Sequence, residues 1–378
     1  MLFEEFGSLI SQVCSRSLLA ADRYLVWTVI VNPRAGGFTI RSRWKEHYRQ
    51  LTEAAKKAEK NTLRRGGPSD TARKEGEAGA LGLIFTKAAG HAEEIANALL
   101  TEAQARVAPR ATAVQAAPAE RPFYLIITAG GDGTSCDVMT SLYHAPASVR
   151  ENFAILRLPM GTGNDGSDTW ELGKALDLLI EPAALAWQRA LRLKTSSGKG
   201  PFLAFNILSV GLDAFVTHMT NKTKGRLPGD SYKVWVDLAA LFYDLIYKVG
   251  YMDVRVRDIE GNDVKAFREK LLLLAVGESG RRTYGSHKWV LPDDRNLCAM
   301  RQMSLFRKFA LKGLFSRGGH IDKPEAILMN AGEVQFSAEY PLLAQMDGET
   351  VRLEAGDFPA VIELTGPVIP VIKPNTSL

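Results

Sequence analysis

Three times in the first half of the chain, an apolar run stops at a glycine-bearing turn. WTVIV leads into NPRAGG (32–37), FYLII into TAGGDGT (128–134), and FAILRLP into MGTGND (160–165). A fourth run, LGLIFT, ends at Thr86 before the helical stretch AGHAEEIANALLTEAQ. Strand, turn and helix thus recur four times between residues 26 and 180, the rhythm of a parallel sheet covered by helices. In such a sheet the turns after the strands collect on one edge, where ligands bind. Glycine lets main-chain N–H groups wrap anionic oxygens without a Cβ in the way. The helix that starts after each turn adds partial positive charge. Bare backbone of this kind suits a polyphosphate. Asp132, inside the second turn, would repel phosphate unless a cation stood between them, which points to Mg²⁺. One glycine turn is weak, because glycines also end strands and cap helices; three at the same point of successive units are harder to dismiss. Neither G-x-x-x-x-G-K-[ST] nor a G-x-G-x-x-G opening the first helix is present.

The second half has a different texture. ALRLKTS, PFLAFNILSVG, MDVRVRDIEG, KLLLLAVGE, AILMNAGEVQFSAE, LLAQMDGETVRLEAG and AVIELTGPVIPVI are β-rich segments with few helices between them, which suggests an antiparallel sandwich. The exception is SYKVWVDLAALFYDLIYKVGY, whose Lys233, Asp237, Asp244 and Lys248 make it an amphipathic surface helix. A chain of 378 residues accommodates two domains. The expected organisation is therefore α/β and two-domain. A helical extension spans 1–25, and a parallel α/β nucleotide-binding domain spans 26–178, with flexible insertions near 56–80 and 103–121. An antiparallel β-sandwich domain for the substrate follows over 179–378, its last strand free to return to the first domain.

Residues 1–22 repeat Leu2, Phe3, Phe6, Leu9, Ile10 and Val13 at helical spacing, which reads as a helix docked on the body. A membrane-surface helix is the alternative, weakened by Glu4 and Glu5. Between Arg41 and Lys74 stand eleven Lys/Arg against four Asp/Glu; a solvated loop is the default there and anionic lipid headgroups the alternative. The net charge of +5 is too modest to argue for nucleic acid. Three scattered cysteines read as a reduced, cytoplasmic protein. Neither a secretory leader nor a stretch long enough to span a bilayer is expected, so work on lipid would be done from the surface, peripheral on the inner face of a membrane.

VNPRAGG, TKAAGHAEEIA, TAGGDGT and LPMGTGND, in this order, resemble the diacylglycerol kinase catalytic domain family, which includes bacterial soluble lipid kinases and sphingosine kinases and is related to NAD kinases. The resemblance continues through FNILSVGLDAFVT, YGSHKWVLP and MDGETV, covering roughly residues 26–365. It implies that ATP phosphates lie on Asn32, Pro33, Arg34, Ala35 and Gly36 and on Ala129, Gly130, Gly131, Asp132, Gly133, Thr134 and Ser135. It matches Thr86 and Thr162 to threonines that contact ATP, and sets Gly163, Asn164 and Asp165 beside them, with Asp165 in the network linking Mg²⁺ to the substrate site. It implies a general base from Asp347 and Glu349, with Asp132 completing the catalytic set. The implied fold has an α/β domain and a β-sandwich with the active site in the cleft. The implied partners are a lipid alcohol, a transient membrane contact and a possible second copy, with no nucleic acid.

Two departures stand out. Related bacterial kinases carry Asp-Gly after the proline that closes the YGSHKWVLP segment, part of a structural Mg²⁺ site. Here the stretch is LPDDRNLCAM, leaving Asp293 or Asp294 as the metal candidates. After GTGND the chain runs GSDTW, more polar than the family pattern. The leading expectation is an ATP- and Mg²⁺-dependent kinase for diacylglycerol or a related lipid alcohol. Its rivals are a kinase of the same fold for a sphingoid base or NAD, and a nucleotide- or lipid-binding member without turnover.

Overall fold

The computed structural model describes residues 2–17, 19, 25–64, 82–107, 122–161, 163–223, 243–285 and 287–374. The chain divides into two compact units, residues 1–188 with 369–378, and residues 189–368.

The first unit is built on β1 (Leu25–Val31), β2 (Gly82–Phe85), β3 (Phe123–Gly130) and β4 (Phe153–Pro159). β3 and β4 are buried along their whole length, as strands covered on both faces are. The helices are α1 (Leu2–Ser15), α2 (Gly36–Thr39), α3 (Arg41–Arg64), α4 (His91–Val107), α5 (Asp132–His144), α6 (Ala147–Arg150) and α7 (Leu172–Ile180). Two more strands extend the sheet, β5 (Ala183–Gln188) and the last strand of the chain, β19 (Ile369–Pro374), giving the order β2-β1-β3-β4-β19-β5. All neighbours are parallel except β5, which runs antiparallel to β19. On one face Phe6 and Ile10 of α1, Leu51 and Ala55 of α3 and Leu176 of α7 pack with Trp27, Val29, Leu125, Ile127 and Leu156. Thr128, pointing the other way from Ile127, bonds Ser135 of α5 (2.9 Å), so α5 lies on the opposite face with α4 against it.

Several boundaries shift from the sequence expectation. The insertion expected from residue 56 begins later: α3 continues to Arg64 because Ala58 is buried and Lys57 reaches Asp177 (2.7 Å) and Glu181 at the end of α7. Likewise α4 runs on to Val107, with Ala103 in the interior. The remainders of both insertions, 65–81 and 108–121, lie outside the described residues. The first unit ends at Gln188, ten residues beyond the expected boundary, because β5 pairs with β19. α1 is docked: Phe6, Ile10 and Val13 are fully buried, and Phe3 and Phe6 both lie against Phe38, with centroids 5.3 and 5.2 Å apart. Its apolar stripe is used up in the core.

In the second unit β6 (Leu191–Lys194), β7 (Phe202–Ala204) and β8 (Ile207–Gly211) precede α8 (Leu212–Thr223) and α9 (Tyr243–Ile246). β9 (Tyr251–Arg257), β10 (Asp263–Gly277), β11 (Arg282–Tyr284), β12 (Lys288–Leu291) and β13 (Leu297–Arg301) lead to α10 (Leu305–Arg317). β14 (Ala326–Met329), β15 (Glu333–Ala338), β16 (Leu342–Met346), β17 (Glu349–Leu353) and β18 (Ala360–Leu364) complete it. The main path is β17-β16-β8-β10-β9-β15-β18-β6-β7, with β13 and β14 branching from β10. Among the described residues every pairing in this unit is antiparallel. β10 joins two sheets: its first half pairs with β9, its second lies between β8 and β13. Val254, Val256, Leu274, Val276, Val334, Phe336 and Ile362 fill the core. Of the amphipathic helix expected near 231–251, residues 231–242 lie outside the described residues, and α9 sets Tyr243 against Phe215 (centroids 5.3 Å).

Candidate functional site

From β1 the chain passes to β2 on one side of the sheet, then crosses back to β3 on the other. The ends of β1 and β3 therefore flank the point where the winding reverses, where open α/β sheets take ligands. The three glycine turns meet there and are bonded to one another. Asn32 donates its N–H to Ala129 O (2.9 Å) and its side-chain amide to Thr134 Oγ1 (3.3 Å). Its own Oδ1 accepts from Arg34 N (3.0 Å), shaping the turn through Pro33 and leaving Arg34 exposed. Past Ala35 and Gly36, Gly37 N donates to Met160 O (2.7 Å), and a Cβ there would stand 2.9 Å from that oxygen. A Cβ on Gly161 would lie 2.5 Å from Gly131 Cα, so a glycine at 161 is what lets the second and third turns touch. Gly130 is as constrained, with Thr134 Oγ1 2.5 Å from where its Cβ would be.

The third turn is stapled by its own asparagine. Asn164, in the left-handed region (φ 57°), accepts from Gly161 N (2.7 Å) and donates to Pro159 O (3.2 Å) and Gly161 O (3.1 Å). Asp132, at the first position of α5, accepts from Gly166 N (3.0 Å). Asp132 Oδ2 and Asp165 Oδ2 each lie 3.3 Å from where a Cβ on Gly163 would stand, so the two carboxylates converge on one spot. Two hard oxygen donors converging on one spot suit a divalent cation shared with phosphate. Gly133 opens onto free space, with nothing of the described residues within 4 Å of an added Cβ. The hydroxyls of Thr134 and Ser135 are engaged within the protein, so what this turn offers an anion is main-chain N–H at the start of α5. Thr86 sits at the end of β2, its N–H bonded to Val31 O (2.8 Å); Thr162 lies outside the described residues. His91 accepts from Lys87 N (3.0 Å) and caps the turn before α4.

One pair of residues beside this site escaped the sequence reading. Arg157, in the middle of apolar β4, has a side chain only 1 % exposed, and so has Asp168. The Asp168 carboxylate accepts from Arg157 N (3.1 Å), Nε (3.2 Å) and Nη2 (2.6 Å), while Nη2 also reaches Gln188 Oε1 (3.1 Å) and Lys373 Nζ approaches Asp168 (3.4 Å). Burial works against the charged carboxylate, but the Arg157 guanidinium outweighs it and holds Asp168 below the usual carboxylate range. The polar GSDTW stretch thus supplies a counter-ion that ties the chain after the third turn back onto β4. An arginine inside FAILRLP was the signal available: a buried cation needs a partner.

In the second unit, Asp347 and Gly348 form the two-residue turn between β16 and β17, with φ 48° and 110°, as a hairpin of this length favours. The Asp347 carboxylate accepts the main-chain N–H groups of Phe205, Asn206 (3.1 Å) and Ile207 (2.9 Å), bracing the step from β7 to β8. Buried Gln345 accepts from Gly348 N (3.2 Å) and donates to Ser209 Oγ (2.8 Å), which in turn donates to Asp213 (2.7 Å). Asn221 donates to Gly348 O (2.8 Å). The turn is held from three sides, and Glu349 follows it exposed. Asp293 and Asp294 are not brought together as a metal site: Arg295 takes Asp293 (Nε 2.8 Å) and Arg281 takes Asp294 (Nε 2.6 Å). These hydrogen bonds hold both carboxyls below their ordinary range, so their charge is already neutralised. Among the described residues no three His, Cys, Asp or Glu side chains gather to hold a metal.

The glycine turns all lie within residues 26–195, the stretch that matches the model of the diacylglycerol kinase catalytic domain. The match is to the diacylglycerol kinase catalytic domain family. This bears out the resemblance carried by the motifs. The chain is 25 % identical over 243 residues to a diacylglycerol kinase of Staphylococcus carnosus (strain TM300), covering 61 % of this chain and 71 % of that one. It is 25 % identical over 254 residues to a diacylglycerol kinase of Bacillus subtilis (strain 168), covering 63 % and 75 %. A crystal structure of a candidate diacylglycerol kinase from Bacillus anthracis str. Sterne shares the fold, with a TM-score of 0.53 at 17 % identity over 93 % of this chain and 98 % of that one.

Proposed function

We propose that the chain transfers the γ-phosphate of ATP to the hydroxyl of diacylglycerol or a related lipid alcohol. The observation that carries this reading is the bonding of three glycine turns into one rim at the carboxyl ends of β1, β3 and β4, where main-chain N–H groups and the start of α5 would receive the phosphates. The relatives named diacylglycerol kinase support the choice of acceptor. Asp132 and Asp165 would hold Mg²⁺, which when bound neutralises charge on the phosphate oxygens. The chain's own contribution is positioning: amides fixed before the substrate arrives need no reorganisation as charge builds on the transferring group. The acceptor hydroxyl has a pKa far above neutrality, so a base must take its proton as the new bond forms. Glu349 is the proposed base, its carboxylate exposed after a braced hairpin turn; Asp347 holds that turn.

The test is transfer from radiolabelled ATP with Mg²⁺ to dioleoylglycerol, sphingosine and NAD, with wild type, Asp132→Asn and Glu349→Gln. Wild type should label the glycerolipid. Glu349→Gln should lose roughly 10²–10⁴-fold in kcat with nucleotide binding retained, the range typical of a general base. Asp132→Asn should lose both transfer and Mg²⁺-dependent ATP binding. Labelling of NAD and no lipid, or ATP binding without transfer to any acceptor, would sink the proposal.

A further inference from the structure

Glu349 follows Gly348, a residue with little conformational restraint of its own, so the bearing of its carboxylate depends on what holds that glycine. Both polar groups of Gly348 are held. Its N–H donates to Gln345 Oε1 (3.2 Å) and its carbonyl accepts from the Asn221 side chain (2.8 Å), which pins the peptide planes on either side. Gln345 stands in a row across three strands, paired with Ser209 of β8 on one side and Thr350 of β17 on the other. Gln345 and Ser209 are fully buried, and an amide or hydroxyl costs free energy there unless its polar atoms are bonded. These are bonded. The Gln345 amide donates to Ser209 Oγ (2.8 Å) and Ile207 O (3.3 Å), and Ser209 Oγ donates to Asp213 (2.7 Å) in the first turn of α8. Leu343, two residues back on the same face of β16, packs in an apolar cluster with Ala214 and Phe215 of α8. An apolar side chain at 345 would therefore serve packing alone, and the glutamine is there for its bonds.

This relay runs one way. A carboxylate accepts, so the Ser209 hydroxyl donates to Asp213 and its lone pair takes a Gln345 N–H. Oε1 is then left pointing at the Gly348 N–H; turned over, the amide would set donor against donor. We infer that Gln345 and Asp213 are positioning residues: through Ser209 they fix the Gly348 amide and with it the bearing of the Glu349 carboxylate. The inference rests on Glu349 acting as the base of the proposed transfer, and it names the residues through which α8 aims that base.

Steady-state transfer by the full chain from radiolabelled ATP with Mg²⁺ to dioctanoylglycerol tests it. Gln345→Met nearly keeps the volume and removes the bond to Gly348. It should lower kcat roughly 10–100-fold, the scale of loss when a reacting group is misplaced, with KM for ATP within about twofold of wild type. In a Glu349→Gln background the same change should cost nothing further, because a positioning residue acts only through the group it positions. Asp213→Ala should lower kcat in the same way, and Asp213→Asn, which still presents an oxygen to Ser209, should recover most of it. Circular dichroism and calorimetric ATP binding check the fold of each variant, and the two Asp213 variants carry the test if Gln345→Met does not fold. A Gln345→Met that turns over like wild type, equal losses with and without Glu349, or an Asp213→Asn as slow as Asp213→Ala would each overturn the positioning role and leave the kinase proposal standing. A wild type that phosphorylates no alcohol would defeat the kinase proposal and this inference with it.

Discussion

Replacing Asp168 by asparagine should be among the most damaging single changes in the first unit, although it removes no atom from the packed volume. The substitution leaves the Arg157 guanidinium buried with its counter-ion gone, and two of its donor groups and the Arg157 main-chain N–H facing a neutral amide. Breaking a buried pair from one side costs about 3–5 kcal/mol, a large part of the ~5–15 kcal/mol that holds a domain together. Four of the six tryptophans, Trp27, Trp44, Trp170 and Trp187, lie in the first unit, so fluorescence in urea reports chiefly on it. With a slope of about 2 kcal/mol per molar, the midpoint should fall by roughly 1.5–2.5 M. The folded carboxyl titrates below its unfolded value, so its stabilisation is complete above about pH 4 and is lost as the pH falls through the folded value. The gap between wild type and variant should therefore hold steady from about pH 5 to 8 and close only in acid. Arg157→Met/Asp168→Leu, which removes both charges, should recover most of the loss. A loss below about 1 kcal/mol for Asp168→Asn, or a double variant weaker than the single one, would refute the reasoning.

Two glycines of the same rim should behave oppositely. Gly161→Ala drives a Cβ into Gly131 and should cost about 1–3 kcal/mol in thermal or urea unfolding, with ATP affinity falling too. Gly133→Ala meets no atom of the described residues, so stability should stay within about 0.5 kcal/mol of wild type while calorimetric ATP affinity drops, because on the proposed function the methyl stands where the nucleotide would approach. At the hairpin, Asp347→Ala should destabilise the second unit by about 2–3 kcal/mol through orphaned main-chain donors. Glu349→Ala, at an exposed position, should leave the unfolding midpoint unchanged; scanning calorimetry separates the two.

The parallel sheet was legible because β1, β3 and β4 are apolar on both faces and each breaks at a glycine turn, a pattern with few other folded outcomes. β5 was not. AALAWQ is rich in good helix formers, and it becomes a strand because the last strand of the chain, 181 residues after it, offers it an edge to pair with. The extent of α3 was hidden for a similar reason. Lys56 to Arg64 looks like solvated, charged chain until Lys57 meets Asp177 of α7 and Glu181 just after it. Asp293 and Asp294 stand in the sequence as metal candidates, and the sequence does not display the arginines that pair with them in the fold.

The order of residues alone determined that glycine turns follow successive strands, since local backbone freedom is written in glycine and burial in unbroken apolar runs. Tertiary structure decided what those turns bind to within the protein. It set Asn32 against Thr134, Gly131 against Gly161 and Arg157 against Asp168, and left Glu349 exposed beside a turn otherwise anchored. The division has one physical cause: conformational preference acts over a few neighbouring residues, whereas charge pairing, close backbone approach and exposure depend on segments that only the folded chain brings together.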